Sequence, residues 1–147
     1  MKSSELLINK IKEFEGCKLF AYRDSVGIPT IGVGHTKGVK MGQSITMAQA
    51  ETLLKGDLLP IEKFINTIKE VNTQGEFDAL VDFAFNLGLG ALKKSTLLLK
   101  IIDKYPTKNI QSEFLKWDKA GGKKLRGLTL RRQAESALLV LKYEEEL

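Results

Sequence analysis

Glu15, Asp24 and Thr30 fall within one stretch, KEFEGCKLFAYRDSVGIPTIGVGHT, residues 12–36, which also holds the chain's single histidine, His35. Two carboxyls and a hydroxyl suit hydrolysis of a glycosidic bond, in which one acid protonates the leaving oxygen and the other positions water or attacks directly. That division of labour needs the two acids in unlike surroundings. Leu7, Ile11 and Phe14, with Leu6 and Ile8 beside them, recur at helical spacing, and Gly16 stands where a left-handed residue would end the helix. Glu15 is therefore predicted at a helix C-terminus, where the negative end of the dipole and the neighbours Phe14 and Tyr22 disfavour its charged form. Asp24 is predicted in the polar turn DSVG, where Arg23 and turn amides favour a charged carboxylate. Thr30 on a strand would orient water, and Gly32 and Gly34 would let a sugar chain approach the backbone. On spacing alone the same acids also fit an ordinary helix end and an ordinary turn.

These residues need elements to hold them. LFAYR, the turn DSVG and IPTIGVGHT, rich in β-branched and aromatic residues, predict a small antiparallel hairpin. Thr46 and Gln49 have capping-box spacing ahead of an apolar stripe through Ala50, Leu53, Leu54, Leu58, Ile61 and Ile65 toward Ile68, which Pro60 is expected to kink or divide. Thr73 and Glu76 predict a second capping box before Phe77, Leu80, Val81 and Ala84, with Gly88 and Gly90 stopping that helix. Ser95 begins a short helix ending at Tyr105-Pro106, and Ile110, Phe114 and Trp117 mark another. After Gly121-Gly122, a last helix is expected to bury Leu130, Ala134, Leu138 and Leu141 on one face. The expectation is one mainly helical α+β domain: residues 1–59 as an N-terminal lobe with the hairpin and the start of a connecting helix, and 60–147 as a helical C-terminal lobe.

Composition sets bounds. At 147 residues, 43% apolar and 28% charged, the chain can bury roughly 70% of its unfolded surface without staples. Cys17 alone makes no internal disulfide, and one cysteine with one histidine cannot build a structural zinc site, so a reducing compartment is expected. The first sixteen residues hold no apolar run longer than Leu6 to Ile8, so neither a signal peptide nor a membrane span is expected. A net charge of +5 points to an acidic partner: nucleic acid, an anionic membrane or an anionic wall polymer.

Glu15, Asp24 and Thr30 in FEGCKLFAYRDSVGIPTIGVGHT, followed by ITMAQAETLLKGDL, FDALVDFAFNLG, STLLLK, Trp117 and RGLTLRRQAE, closely resemble the phage-type lysozymes, also called endolysins or muramidases. The resemblance covers nearly the whole chain in order. It implies a two-lobed lysozyme-like fold with a cleft between the lobes, and hydrolysis of the β-1,4 bond between N-acetylmuramic acid and N-acetylglucosamine in peptidoglycan. By the same resemblance Glu15 is the general acid, Asp24 and Thr30 hold the attacking water, and the anomeric centre inverts. It further implies that Gly34 and Thr36, with Phe85 and Asn86 opposite, face the sugar, while Arg131 and Arg132 meet the carboxylates of peptide stems. His35 becomes structural, paired with Asp57. No cofactor or metal is implied. The partner is the peptidoglycan glycan strand, with no nucleic acid and no stable membrane insertion; the enzyme is expected to be a monomer that waits in the host cytoplasm until a holin opens the way to the wall.

Several rivals stand beside this reading. A lytic transglycosylase cuts the same bond with the acid alone, leaving Asp24 and Thr30 without work. KKLRGLTLRR and the positive charge fit a nucleic-acid-binding helical domain, although no recognition motif is present. Cys17 with His35 raises a thiol hydrolase, without any local signature for one. A non-catalytic wall-binding relative would not need the intact trio. Phe85 fits a core position as well as a sugar contact, and Arg131 and Arg132 fit a solvated face as well as a cleft wall.

Overall fold

The computed structural model describes residues 1–143. In chain order these form α1 (Glu5–Glu15), β1 (Lys18–Arg23), β2 (Pro29–Gly32), α2 (Met47–Ile65), α3 (Gln74–Leu87), α4 (Leu89–Lys93), α5 (Thr96–Ile102), α6 (Thr107–Leu115), β3 (Lys119–Ala120), β4 (Lys123–Lys124) and α7 (Arg126–Leu138). The mainly helical α+β architecture with small antiparallel sheets is as expected. The chain divides into two compact units, Glu5–Pro60 and a second made of Met1–Ser4 with the chain from Ile61 onward.

In the first unit α1 turns Leu7, Ile8 and Ile11 inward, each essentially buried, whereas Leu6 and Phe14 stay partly exposed. Removing such a side chain from water is worth about 1.5–3 kcal/mol. Strands β1 and β2 pair antiparallel, with Lys18 opposite Gly32, Tyr22 opposite Thr30 and Arg23 opposite Pro29. Five residues of β1, Lys18 to Tyr22, thus face three of β2, and the bulge lets the middle of β1 turn to another partner. The Ala21 N–H donates to the Gln43 carbonyl at 2.9 Å and the Ile45 N–H to the Leu19 carbonyl at 2.9 Å, so Phe20 forms an isolated antiparallel bridge with Ser44. The predicted capping box opens α2: the Gln49 N–H donates to Thr46 Oγ1 at 3.1 Å and the Thr46 N–H to Gln49 Oε1 at 2.9 Å. Pro60 does not divide α2, which continues to Ile65. The division between the units nevertheless falls at Pro60.

In the second unit α3 starts on the predicted Thr73–Glu76 box and ends at Gly88, whose φ of +101° no β-carbon-bearing residue adopts without strain. Gly90 does not extend that stop; it lies inside the short helix α4, which the sequence reading missed. Ser95 caps α5 by accepting from the Leu98 N–H at 3.0 Å, and α5 ends at Ile102, short of Tyr105. Phe83 is the hub of the core, edge-on to Phe114 at 5.7 Å and to Trp117 at 5.2 Å between ring centroids. Gly75 lets α3 lie against α7, since a β-carbon there would fall 2.0 Å from the Leu138 carbonyl oxygen.

The last helix differs from expectation. Leu130 is 47% exposed and Leu141 lies beyond the helix and 39% exposed, while the inward face of α7 carries Arg131, Arg132, Glu135 and Leu138. Three of these four are ionisable, and partners on α3 explain the reversal.

Candidate active site

Glu15 is the last residue of α1, and the Gly16 N–H donates to the Lys12 carbonyl at 2.8 Å to close the helix with φ +74°. Its carboxylate lies beside the turn that follows β2: a β-carbon built on Gly34 would sit 3.8 Å from Glu15 Oε1. That turn is closed by reciprocal backbone bonds of 2.9 Å between Ile31 and His35, with Gly32 and Gly34 at φ +65° and +71°. Glycine is required at Gly34 by the backbone, and its lack of a side chain leaves room at the carboxylate.

Asp24 and Thr30 come from the hairpin's other end. Tyr22 and Thr30 form a cross-strand pair, and the Asp24 N–H continues the ladder to the Ile28 carbonyl at 3.0 Å. Because side chains alternate, Tyr22, Asp24 and Thr30 share a face. Asp24 Oδ1 accepts from the Val26 N–H at 3.0 Å and the Ile28 N–H at 2.8 Å, which pins the carboxylate within its own turn. Its Oδ2 takes no protein donor among the described residues. Arg23 does not pair with Asp24; its Nη1 donates to the Gly27 carbonyl at 3.1 Å. Thr30 is 3% exposed, and its hydroxyl donates to the Ile28 carbonyl at 2.8 Å. With that proton spent, Thr30 Oγ1 meets any further partner as an acceptor.

His35 takes no part in this group. Its Nδ1 lies 2.8 Å from Asp57 Oδ2 and its Nε2 2.9 Å from the Lys37 carbonyl, so both ring nitrogens are engaged, and the expected pairing with Asp57 is present. Asp57→Asn keeps a neutral acceptor but removes the charge assistance, and should lower unfolding stability by about 1–2 kcal/mol, read as a shift in the urea midpoint at constant slope.

The remaining candidates lie in the second unit. Phe85 and Asn86 are half-buried on α3, and Asn86 Oδ1 accepts from Arg132 Nη2 at 2.8 Å. Arg131 and Arg132 are 5% and 0% exposed. Arg131 forks onto Asp82, Nε to Oδ2 at 2.9 Å and Nη2 to Oδ1 at 2.8 Å. Arg132 Nη2 also donates to Glu135 Oε2 at 2.8 Å, and its guanidinium lies 5.4 Å from the Phe83 ring centroid. Arg132 Nε and Glu135 Oε1 are 2.7 Å apart but are not aligned, and neither makes a well-formed hydrogen bond. Asp82 and Glu135, absent from the sequence reading, are thus the partners that draw both arginines inward. The available signal was an aspartate inside the apolar run DALVDFAF.

This cluster sets a pH dependence. Burial raises the carboxyl pKa of Glu135 well above its usual range, and the neighbouring Asp82 adds to the shift. For Asp82, burial works the same way but is outweighed by hydrogen bonds from Glu135 and Arg131, which leave it below the usual range. As pH rises above the range where free glutamate titrates, the unfolded chain releases the Glu135 proton while the folded chain keeps it. Stability from this group is therefore full in acid and falls with rising pH until the folded group ionises. Glu135→Gln carries no titrating proton and so removes that loss. The variant should gain stability relative to wild type between pH 4.5 and 7.5, measured by urea unfolding at both.

An acid at a helix end with an aspartate and a threonine on a hairpin are parts a glycoside hydrolase uses. The chain belongs to the phage lysozyme family, whose sequence profile matches residues 12–135. It is 42% identical over 144 residues to the endolysin of Acyrthosiphon pisum secondary endosymbiont phage 1, covering 94% of this chain and 97% of that one. A point mutant of P22 lysozyme superposes with TM-score 0.85 at 39% identity over 96% of this chain and 99% of that one. The muramidase domain of SpmX from Asticaccaulis excentricus superposes with TM-score 0.87 at 32% identity over 96% and 99%. The chain spans only 55% and 54% of the endolysins of Bacillus phages PZA and B103.

Proposed function

We propose that this enzyme hydrolyses the β-1,4 bond between N-acetylmuramic acid and N-acetylglucosamine in peptidoglycan, with inversion. The observation that carries it is the pair of acceptors on one hairpin face. A water lodged between Asp24 Oδ2 and Thr30 Oγ1 would donate a proton to each and present its lone pairs to the anomeric carbon. As the C–O bond forms, Asp24 accepts the proton from that water while Glu15 delivers its own to the departing sugar oxygen. Water held on the face opposite the leaving group inverts the centre.

Gly34, Thr36, Phe85 and Asn86 are proposed to line the glycan. Arg131 and Arg132 act here as positioning residues, holding Asn86 and α3 in place, since both guanidiniums are buried on Asp82 and Glu135. No cofactor enters the scheme. The enzyme is proposed to act as a monomer on glycan strands, without a nucleic-acid partner, after a holin gives it access from the host cytoplasm. No helix among the described residues is long and apolar enough to cross a membrane.

The test is digestion of purified peptidoglycan followed at once by proton NMR and mass spectrometry. Reducing muramic ends in the α configuration are expected. Anhydro-muramic ends would replace this reading with internal attack by the sugar, and newly formed β ends would mean that the enzyme itself forms the first bond.

A further inference from the structure

The second sheet carries an unusual charge arrangement. Lys116, Lys119, Lys123, Lys124 and Arg126 fall within eleven residues. Gly121 and Gly122, at φ +59° and +77°, make the mirror-image turn that closes two-residue hairpins, and the resulting register sets Lys119 opposite Lys124 and Ala120 opposite Lys123. Like charges directly across a ladder destabilise it. The Leu125 N–H donates to the Asp118 carbonyl at 2.9 Å, which ties the base of the hairpin and holds the lysines together.

Acids nearby do little to offset this charge. Lys116 is spent on Glu113 at 2.5 Å, and Lys124 lies 3.6 Å from Asp118, while Lys119, Lys123 and Arg126 have no acidic partner among the described residues. All four hairpin residues are exposed, and the first turn of α7 adds Arg126 and no acid. The patch is dominated by lysine. Compact ammonium groups on flexible stems suit phosphate oxygens, whereas planar carboxylates are matched by the arginine fork. The hairpin's only apolar side chain is Ala120, so it has nothing to insert into a bilayer. It also lacks an aromatic ring for stacking a base, because the neighbouring Trp117 is packed edge-on against Phe83.

We propose that the β3–β4 hairpin is a docking surface for a phosphodiester-linked polyol polymer of the cell envelope. It concentrates the enzyme on the wall independently of glycan cleavage. Binding is measured on immobilised poly(glycerol phosphate) across a salt series, without turnover, so its outcome and that of the hydrolase reading are separable. The triple variant Lys119→Gln/Lys123→Gln/Lys124→Gln should lose about tenfold or more in affinity and flatten the slope of log K against log salt by about 2 to 3. The control Lys40→Gln/Lys63→Gln/Lys69→Gln removes the same charge from exposed sites elsewhere and should stay within about threefold of wild type. Both variants should melt as wild type and cleave peptide-free glycan oligomers at the wild-type rate. Equal losses in the two variants would reduce the effect to net charge and overturn the proposal. So would absence of wild-type binding, or tighter binding to short duplex DNA or phosphatidylglycerol vesicles at equal phosphate concentration.

Discussion

Glu15→Gln should fold and melt as wild type and lose roughly 10²–10⁴-fold in its rate of glycan cleavage, the range that general acid catalysis supplies. The amide is nearly isosteric and sits on the last turn of α1, beside a glycine that presents no side chain to it. Nothing in the core has to change. In the proposed mechanism what disappears is the proton for the departing oxygen, so the loss should appear in kcat with KM little altered. Clearing of permeabilised cells and hydrolysis of soluble glycan should fall together. A variant that clears at the wild-type rate would remove Glu15 from the chemistry.

The second large effect concerns stability. Asp82→Ala should cost about 3–5 kcal/mol, because it leaves a buried guanidinium without its carboxylate. Arg131 loses both arms of its fork. A drop of that size is read from urea unfolding with the slope held constant. A loss below about 1 kcal/mol would show that solvent reaches the cluster.

The sequence made the unit that carries the candidate site readable because its signals are local. Gly16 ends α1 at the position that leaves Glu15 on the last turn, and the DSVG turn fastens Asp24 through amides two and four residues ahead. Both capping boxes are satisfied by groups three residues apart. Failures came where a distant partner decided the outcome. Leu130 and Leu141 have the right spacing for a core face, yet Asp82, 49 residues before Arg131, turns α7 so that charged groups are inside. Pro60 was expected to interrupt α2; a helix tolerates proline when neighbouring packing holds its turns, and such packing leaves no mark in a local pattern. The isolated bridge between Phe20 and Ser44 accompanies a bulge in β1 that only the pairing reveals.

The opening tetrapeptide has a further consequence for synthesis. Ser3 bonds to Glu62 through its N–H and hydroxyl, Ser4 bonds to Asp78 through the same two groups, and the Lys2 carbonyl accepts from Gln74. Their anchors lie 59 and 74 positions further along the chain, so this segment cannot dock until α3 has been made. Met1–Ser4 must therefore stay untethered while the hairpin unit condenses behind it. Losing the two Ser4 donors should leave fully buried Asp78 short of partners, which ties this segment to the stability of the second unit.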